Sequence, residues 1–142
     1  MRAGDATDWW GLVRDELTEV DTGRRSWLLT QDAEELGSAP RPQGVRLLPP
    51  RDPYTQSRDR TTILAAEHHR SVWKSVGEPG SVLVDGRIVG TWRSRAASHR
   101  LTVTVTPFVP LTRRQTEQVR TEAEALGRLR GAASVQVVTA PT

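Results

Sequence analysis

The 142-residue sequence predicts an α+β fold: a partial winged helix (one helix plus a wing hairpin), then a small curved β-sheet or β-barrel with a C-terminal helix packed on it. Three observations carry that prediction. A helical pattern at 7–17 runs directly into a hairpin pattern at 17–29. The stretch "VLVDGRIVGTWRSR" (82–95) reads as two strands closed by Asp85-Gly86, a type I′ turn signal. Thr112 with Gln115 forms a capping box that opens a helix after a strictly alternating strand. The Gly-, Ser- and Pro-rich "GSAPRPQG" (37–44) separates a first element, 1–40, from a second domain, 43–142.

In the first element Asp5 or Thr7 can cap a helix whose apolar positions Trp10, Val13 and Leu17 fall at i, i+3 and i+7. "LTEVDTGRRSWLL" then forms the wing, with Thr22-Gly23 at the turn and Arg24 and Arg25 just beyond it. A complete winged helix needs two further helices upstream to bury Trp9, Trp10 and Val13, and only a few residues precede this one. The chain therefore reads as truncated on its N-terminal side. At least one of Trp9 and Trp10 is then exposed, or the pair holds a second copy of the chain.

In the second domain "VRLLPP" (45–50) is a strand stopped by prolines, and "RDPYTQSRDR" (51–60) a charged loop. "AAEHHRSVWKSV" (65–76) reads as a short helix with His69, Val72, Trp73 and Val76 inward and Arg70 and Lys74 outward. Regular pairing across Asp85-Gly86 sets Val84 opposite Arg87, Leu83 opposite Ile88 and Val82 opposite Val89. Leu83, Ile88, Gly90 and Trp92 then share one face, and Val82, Val84, Val89, Thr91, Arg93 and Arg95 the other. "RLTVTVTPF" (100–108) continues the sheet, with Leu101, Val103 and Val105 one way and Thr102, Thr104 and Thr106 the other. The capped helix runs to about Leu126 with Val119, Ala123 and Leu126 buried, and Gly127 or Gly131 ends it. "SVQVV" (134–138) is a last strand.

Composition narrows the chemistry. With no cysteine there is no disulfide, thiolate nucleophile or zinc–thiolate site. Adjacent His68 and His69 point about 100° apart on a helix and cannot share a metal there, so neither metal nor cofactor is expected. No eighteen-residue apolar run or signal-peptide pattern occurs, which predicts a cytoplasmic protein that does not enter membranes. There is no Gly-rich phosphate loop, G-x-S-x-G elbow or H-E-x-x-H. The net charge of +3 is unevenly spread: residues 1–40 hold four arginines against nine acids, residues 41–100 eleven basic residues against five acids. Nineteen of the twenty basic residues are arginine, whose fork suits phosphate, although a GC-rich genome yields the same ratio. The basic middle hints at a polyanion partner.

The blocks "RLLPPRDPYTQSRDR", "HHRSVWKSVGEPGSVLVDGRIVGTWR" and "LTVTVTPFVPLT" resemble the C-terminal part of bacterial winged-helix DNA-binding proteins of the AlkZ-type DNA glycosylase group. The resemblance covers about residues 9–130, the final third or so of a full-length member. It implies tandem winged helices followed by a β-barrel domain, DNA as partner, and, in members with known chemistry, excision of alkylated or crosslinked bases. Those members position the attacking water with a Gln-x-Gln motif that this sequence does not contain. Gln115 and Gln118 are three apart and Gln136 stands alone, so no residue receives a catalytic role. The expected function is that of a non-catalytic DNA-binding module; the alternative is the C-terminal half of a glycosylase, active only with a separate catalytic half.

The candidate nucleic-acid contacts are Arg24 and Arg25 at the wing tip, Arg58 and Arg60 in the loop, Arg70 and Lys74, and Arg93, Arg95 and Arg100 on and after the hairpin's second strand. The bland readings are edge-strand protection for the last three and ion pairing with Asp59 for Arg58 and Arg60. Asp52 reads as a cap for nearby backbone N–H groups, and Trp73 and Trp92 as core residues rather than base-stacking platforms.

Overall fold

A computed structural model of the chain describes residues 10–21, 23, 25–57 and 59–140. The polypeptide divides between Arg41 and Pro42, inside the Pro- and Gly-rich segment, into two units. In the first, residues 10–13 are helical and Arg14–Glu16 tighten into a 3-10 turn, so the helix stops short of Leu17. Leu17 instead opens β1 (Leu17–Asp21), antiparallel to β2 (Arg25–Leu29) with Leu17 opposite Leu29 and Asp21 opposite Arg25. Gly23 makes the turn at φ +76° and donates its N–H to Asp21 Oδ1 at 2.9 Å. A short helix, α1 (Ala33–Ser38), follows. Trp10 meets Trp27 edge-on at 5.6 Å and keeps 41% of its surface exposed; Trp9 lies outside the described residues. None of the described residues of this unit is fully buried.

The second unit is built on a five-stranded sheet in the order β3 (Val45–Leu48), β4 (Gly80–Val84), β5 (Arg87–Ala97), β6 (Arg100–Pro107), β7 (Ser134–Thr139). The first four strands are antiparallel; β7 runs parallel to β6. Such a parallel pair needs a crossover, which α4 (Arg113–Leu129) supplies. Of the sheet-or-barrel alternative the open sheet is what forms: β3 and β7 are its edges, and α4 packs on both of them, filling the side across which closure would occur. Val45, Val82, Trp92, Leu101, Val103 and Val105 meet Val119 and Ala123 of α4 in the main core. Each valine or leucine among them, withdrawn from water, contributes about 1.5–3 kcal/mol.

The helix begins as its sequence dictates. Thr112 Oγ1 accepts from the Gln115 N–H at 3.2 Å, and the Thr112 N–H donates to Gln115 Oε1 at 2.8 Å. It ends in a Schellman motif with Gly131 at φ +67°, where the N–H groups of Gly131 and Ala132 return to the carbonyls of Arg128 and Gly127. Gly127 therefore lies inside the helix, where an added Cβ would stand 2.2 Å from Val135 Cγ2.

Two expectations for the other side of the sheet are corrected. The helix predicted over 65–76 is a 3-10 turn (Ala66–His68) and a single turn, α3 (His69–Val72). Trp73 leaves the helix to donate its indole N–H to the Thr55 carbonyl at 2.9 Å, so Val76 is 88% exposed rather than inward. The segment read as a loop through residue 60 runs into a further helical turn, α2 (Arg60–Ile63). Leu64, Val72 and Ile88 form a second, smaller core on this side with Leu83, Trp73 and Phe108.

The hairpin register departs from regular pairing as well. Asp85 (φ +48°) and Gly86 (φ +78°) make the expected type I′ turn, with Val84 opposite Arg87 and Leu83 opposite Ile88. A bulge then sets Val82 opposite Gly90 rather than Val89. Val89 stays on the α4-side core, and from Gly90 on every residue of β5 lies on the face opposite to the one regular pairing assigns. Trp92 thereby enters the main core, and Arg93 and Arg95 leave it.

Candidate nucleic-acid interface

The face of β5 and β6 turned away from α4 carries alternate residues of both strands. Arg93 lies opposite Thr104, Arg95 opposite Thr102 and Arg100 opposite Ala97, so all three arginines and Thr102, Thr104 and Thr106 share one surface. The smaller core covers this face only near Ile88; farther along β5, and at the start of β6, the three arginines are exposed. No acid occurs between Ile88 and Glu117, and none of the three forms an ion pair among the described residues. Arg93 donates from Nη2 to the Gly77 carbonyl, which fixes its guanidinium beside the turn leaving α3.

The strands beneath are held firmly. Asp85 accepts from the Gly44 N–H at 2.7 Å and returns its own N–H to the Gly44 carbonyl at 2.9 Å, tying the hairpin turn to the start of β3. Tyr54 donates its hydroxyl to the Gly86 carbonyl at 2.9 Å. Asp52 caps the turn that carries Tyr54, accepting from its N–H at 3.0 Å, which accounts for the "RDPY" string as scaffold. Trp92 donates its indole N–H to the Leu48 carbonyl at 2.7 Å and is 5% exposed, so it stacks on no incoming base. At the far end the His99 carbonyl accepts from Ala133 and Ser134, fastening the β5–β6 turn to β7.

Lys74 joins this surface: it lines a pocket of about 280 Å³ between the α3 segment and the β5–β6 face, together with His68, Ser71, Arg93, Thr104 and Thr106. It arrives there from the turn after α3, not from a helix face shared with Arg70, because the helix has already ended. Arg70 is exposed on α3 outside that pocket. Two other candidates are engaged within the fold. Arg60 lies over the Trp73 ring at 4.7 Å, and Arg25 pairs with Glu19 at 3.3 Å and lies 5.4 Å from the Trp27 ring centroid. Asp59 accepts from the Thr61 hydroxyl at 2.5 Å. Arg24 and Arg58 lie outside the described residues. Arg25 belongs to the first unit and Arg60, Arg70, Lys74, Arg93, Arg95 and Arg100 to the second.

Sequence reasoning missed Ser71, Thr104, Thr106 and His68 as lining. The signal was present for the threonines: Arg100 has the same strand parity as Thr102, Thr104 and Thr106. Among the described residues no group of three or more His, Asp or Glu could hold a metal ion, and no helix is long and apolar enough to cross a membrane.

The family model described as "DNA glycosylase AlkZ-like" matches residues 1–129. An interstrand DNA cross-link repair glycosylase of Streptomyces sahachiroi is 37% identical over 134 residues, covering 91% of this chain and 35% of that protein. The solved structure of the Streptomyces sahachiroi DNA glycosylase AlkZ superposes with a TM-score of 0.78 at 33% identity, covering 99% of this chain and 38% of the other. The chain thus spans little more than a third of the length of the relatives it matches.

Proposed function

The chain belongs to the AlkZ-like DNA glycosylase family, and on that premise we propose that it is a non-catalytic DNA-binding module that contacts the phosphate backbone. The observation that carries this reading is the alignment of Arg93, Arg95 and Arg100 on one stiff surface of the β5–β6 hairpin, where Glu78, the acid beside Arg93, is already paired with Arg51. Guanidinium forks pair with phosphate oxygens, and a surface already ordered loses little entropy on binding. Such contacts position DNA without reading sequence. Lys74 extends the surface from the α3 side, whereas Arg25 and Arg60 are held by Glu19 and Trp73 and contribute less.

Duplex titrations at several salt concentrations test the proposal. The Arg93→Ala, Arg95→Ala double variant should bind all sequences more weakly, and the slope of log affinity against log salt should become shallower by about 1 for each phosphate no longer neutralised. Unchanged affinity and slope in the folded variant would return these arginines to edge protection.

The second reading, the C-terminal half of a glycosylase that acts on alkylated or crosslinked DNA with a separate catalytic half, is favoured by the chain's 35–38% coverage of its relatives. No Gln-x-Gln occurs in the 142 residues, so on either reading single-turnover excision by this chain alone stays at the no-protein background. Clear excision would defeat both.

A further inference from the structure

The pocket beside Arg93 differs in kind from the open arginine surface. Ser71, Thr91, Thr104 and Thr106 bring four hydroxyls to it, and Lys74 and Arg93 two charges, with no carboxylate in its lining. Its far wall is the pair His68 and Phe108, stacked at 4.1 Å with an angle of 3° between the rings. Glu67, the acid at that wall, faces solvent and reaches only His68 Nε2, at 3.5 Å.

This chemistry selects among ligands. A nucleobase needs a free aromatic face, but Phe108 is covered by His68, and the Trp92 indole is spent on Leu48. A cation is repelled by Lys74 and Arg93. A compact tetrahedral oxyanion suits both the charges and the hydroxyls, since each of its oxygens can accept from more than one donor. The Gly77 carbonyl already holds the Arg93 guanidinium in place, so part of the ordering cost is met before any ligand arrives.

We infer that this pocket is a discrete phosphate seat, in which Lys74 and Arg93 supply charge and Thr104 and Thr106 donate hydrogen bonds to a single phosphate group. Along β5, Arg95 follows Arg93 on the same face at a step of about 6.7 Å, comparable to the step between neighbouring phosphates of one strand. A phosphate in the seat would thus fix the register of the backbone running over Arg95 and Arg100. The inference extends the backbone-binding reading, yet the pocket can be tested without DNA, so the two can fail separately.

The probe is inorganic phosphate alone, titrated against the labelled chain and followed by amide chemical shifts. Saturable shifts should centre on Ser71, Lys74, Arg93, Thr104 and Thr106. Thr104→Val with Thr106→Val keeps every charge and suits a strand, yet it should weaken phosphate binding at least tenfold through the loss of charge-assisted hydrogen bonds. Should that pair not fold, Lys74→Ala on the exposed turn gives the same readout. Duplexes with 5′-phosphate or 5′-hydroxyl ends then distinguish the source. Tighter binding of the phosphorylated end marks a terminal phosphate, equal binding an internal one, and either supports the seat if the threonine pair lowers it. Unsaturable shifts spread over all arginines, or equal phosphate affinity in the Thr104/Thr106 and Lys74 variants, would overturn it.

Discussion

Replacing Gly80 by alanine should be among the most damaging single-methyl additions in this fold. A Cβ there would stand 2.2 Å from Trp92 Nε1, 2.5 Å from Cε2 and 2.5 Å from the Leu48 carbonyl oxygen. The indole N–H donates to that same carbonyl at 2.7 Å, so the methyl group falls into the hydrogen bond itself. Restoring ordinary packing distances requires the indole or β3 to move by more than about 1 Å in a core packed to crystal density. Losing the buried bond costs about 1–3 kcal/mol, and overpacking a further 1–3 kcal/mol or so. The lower unfolded-state entropy of alanine returns only about 0.4–1 kcal/mol. The net expectation is a loss of about 1–5.5 kcal/mol, a large part of a small domain's stability. Urea unfolding followed by tryptophan emission and far-UV circular dichroism measures it. A loss below about 1 kcal/mol with Trp92 emission unchanged would refute the reasoning. In a Trp92→Phe background, which has no N–H to displace, Gly80→Ala should cost less; strict additivity of the two changes would show that the indole is not what the methyl group meets.

Two further outcomes rest on neighbouring features. Thr112→Ala removes one arm of the capping box at the start of α4 and should destabilise the second unit by about 1 kcal/mol, read as a lower urea midpoint at constant m. Hydrogen exchange should release the amides of β1 and β2 before those of β4, β5 and β6, since a two-stranded ribbon with no fully buried residue opens easily; equal protection of the two sheets in the monomer would contradict this.

Some of the fold was legible because single residues impose it. Asp85-Gly86 names its turn through positive φ at both positions, and Thr112 with Gln115 names a helix start. The bulge was not legible. Near the turn both faces of the hairpin are apolar, Val82, Val84 and Val89 on one face and Leu83 and Ile88 on the other, so hydrophobic alternation carries no signal about where pairing shifts. The information lies farther on, in Trp92, which needs the Leu48 carbonyl from a strand 44 residues earlier. The early end of α3 has the same origin: Trp73 departs from helical geometry to reach Thr55, a tertiary bond that local periodicity does not record. Of the candidate site, Arg93 and Arg95 could be grouped from strand parity alone, whereas Arg100 joins their face through the β5–β6 register. Ser71 meets them from within α3, and Lys74 only because α3 stops after one turn.

The displaced pairing at Val89 also makes Trp92 the guardian of the strand's alignment. Were β5 to slide into unbroken pairing with β4, Thr91 would stand opposite Gly80 and Trp92 would quit the core. Losing the burial of the indole and its bond to the Leu48 carbonyl costs several kcal/mol, so the slipped state is closed to the native sequence. Trp92→Val would remove most of that penalty and let two alignments compete, seen as doubled amide signals along β5.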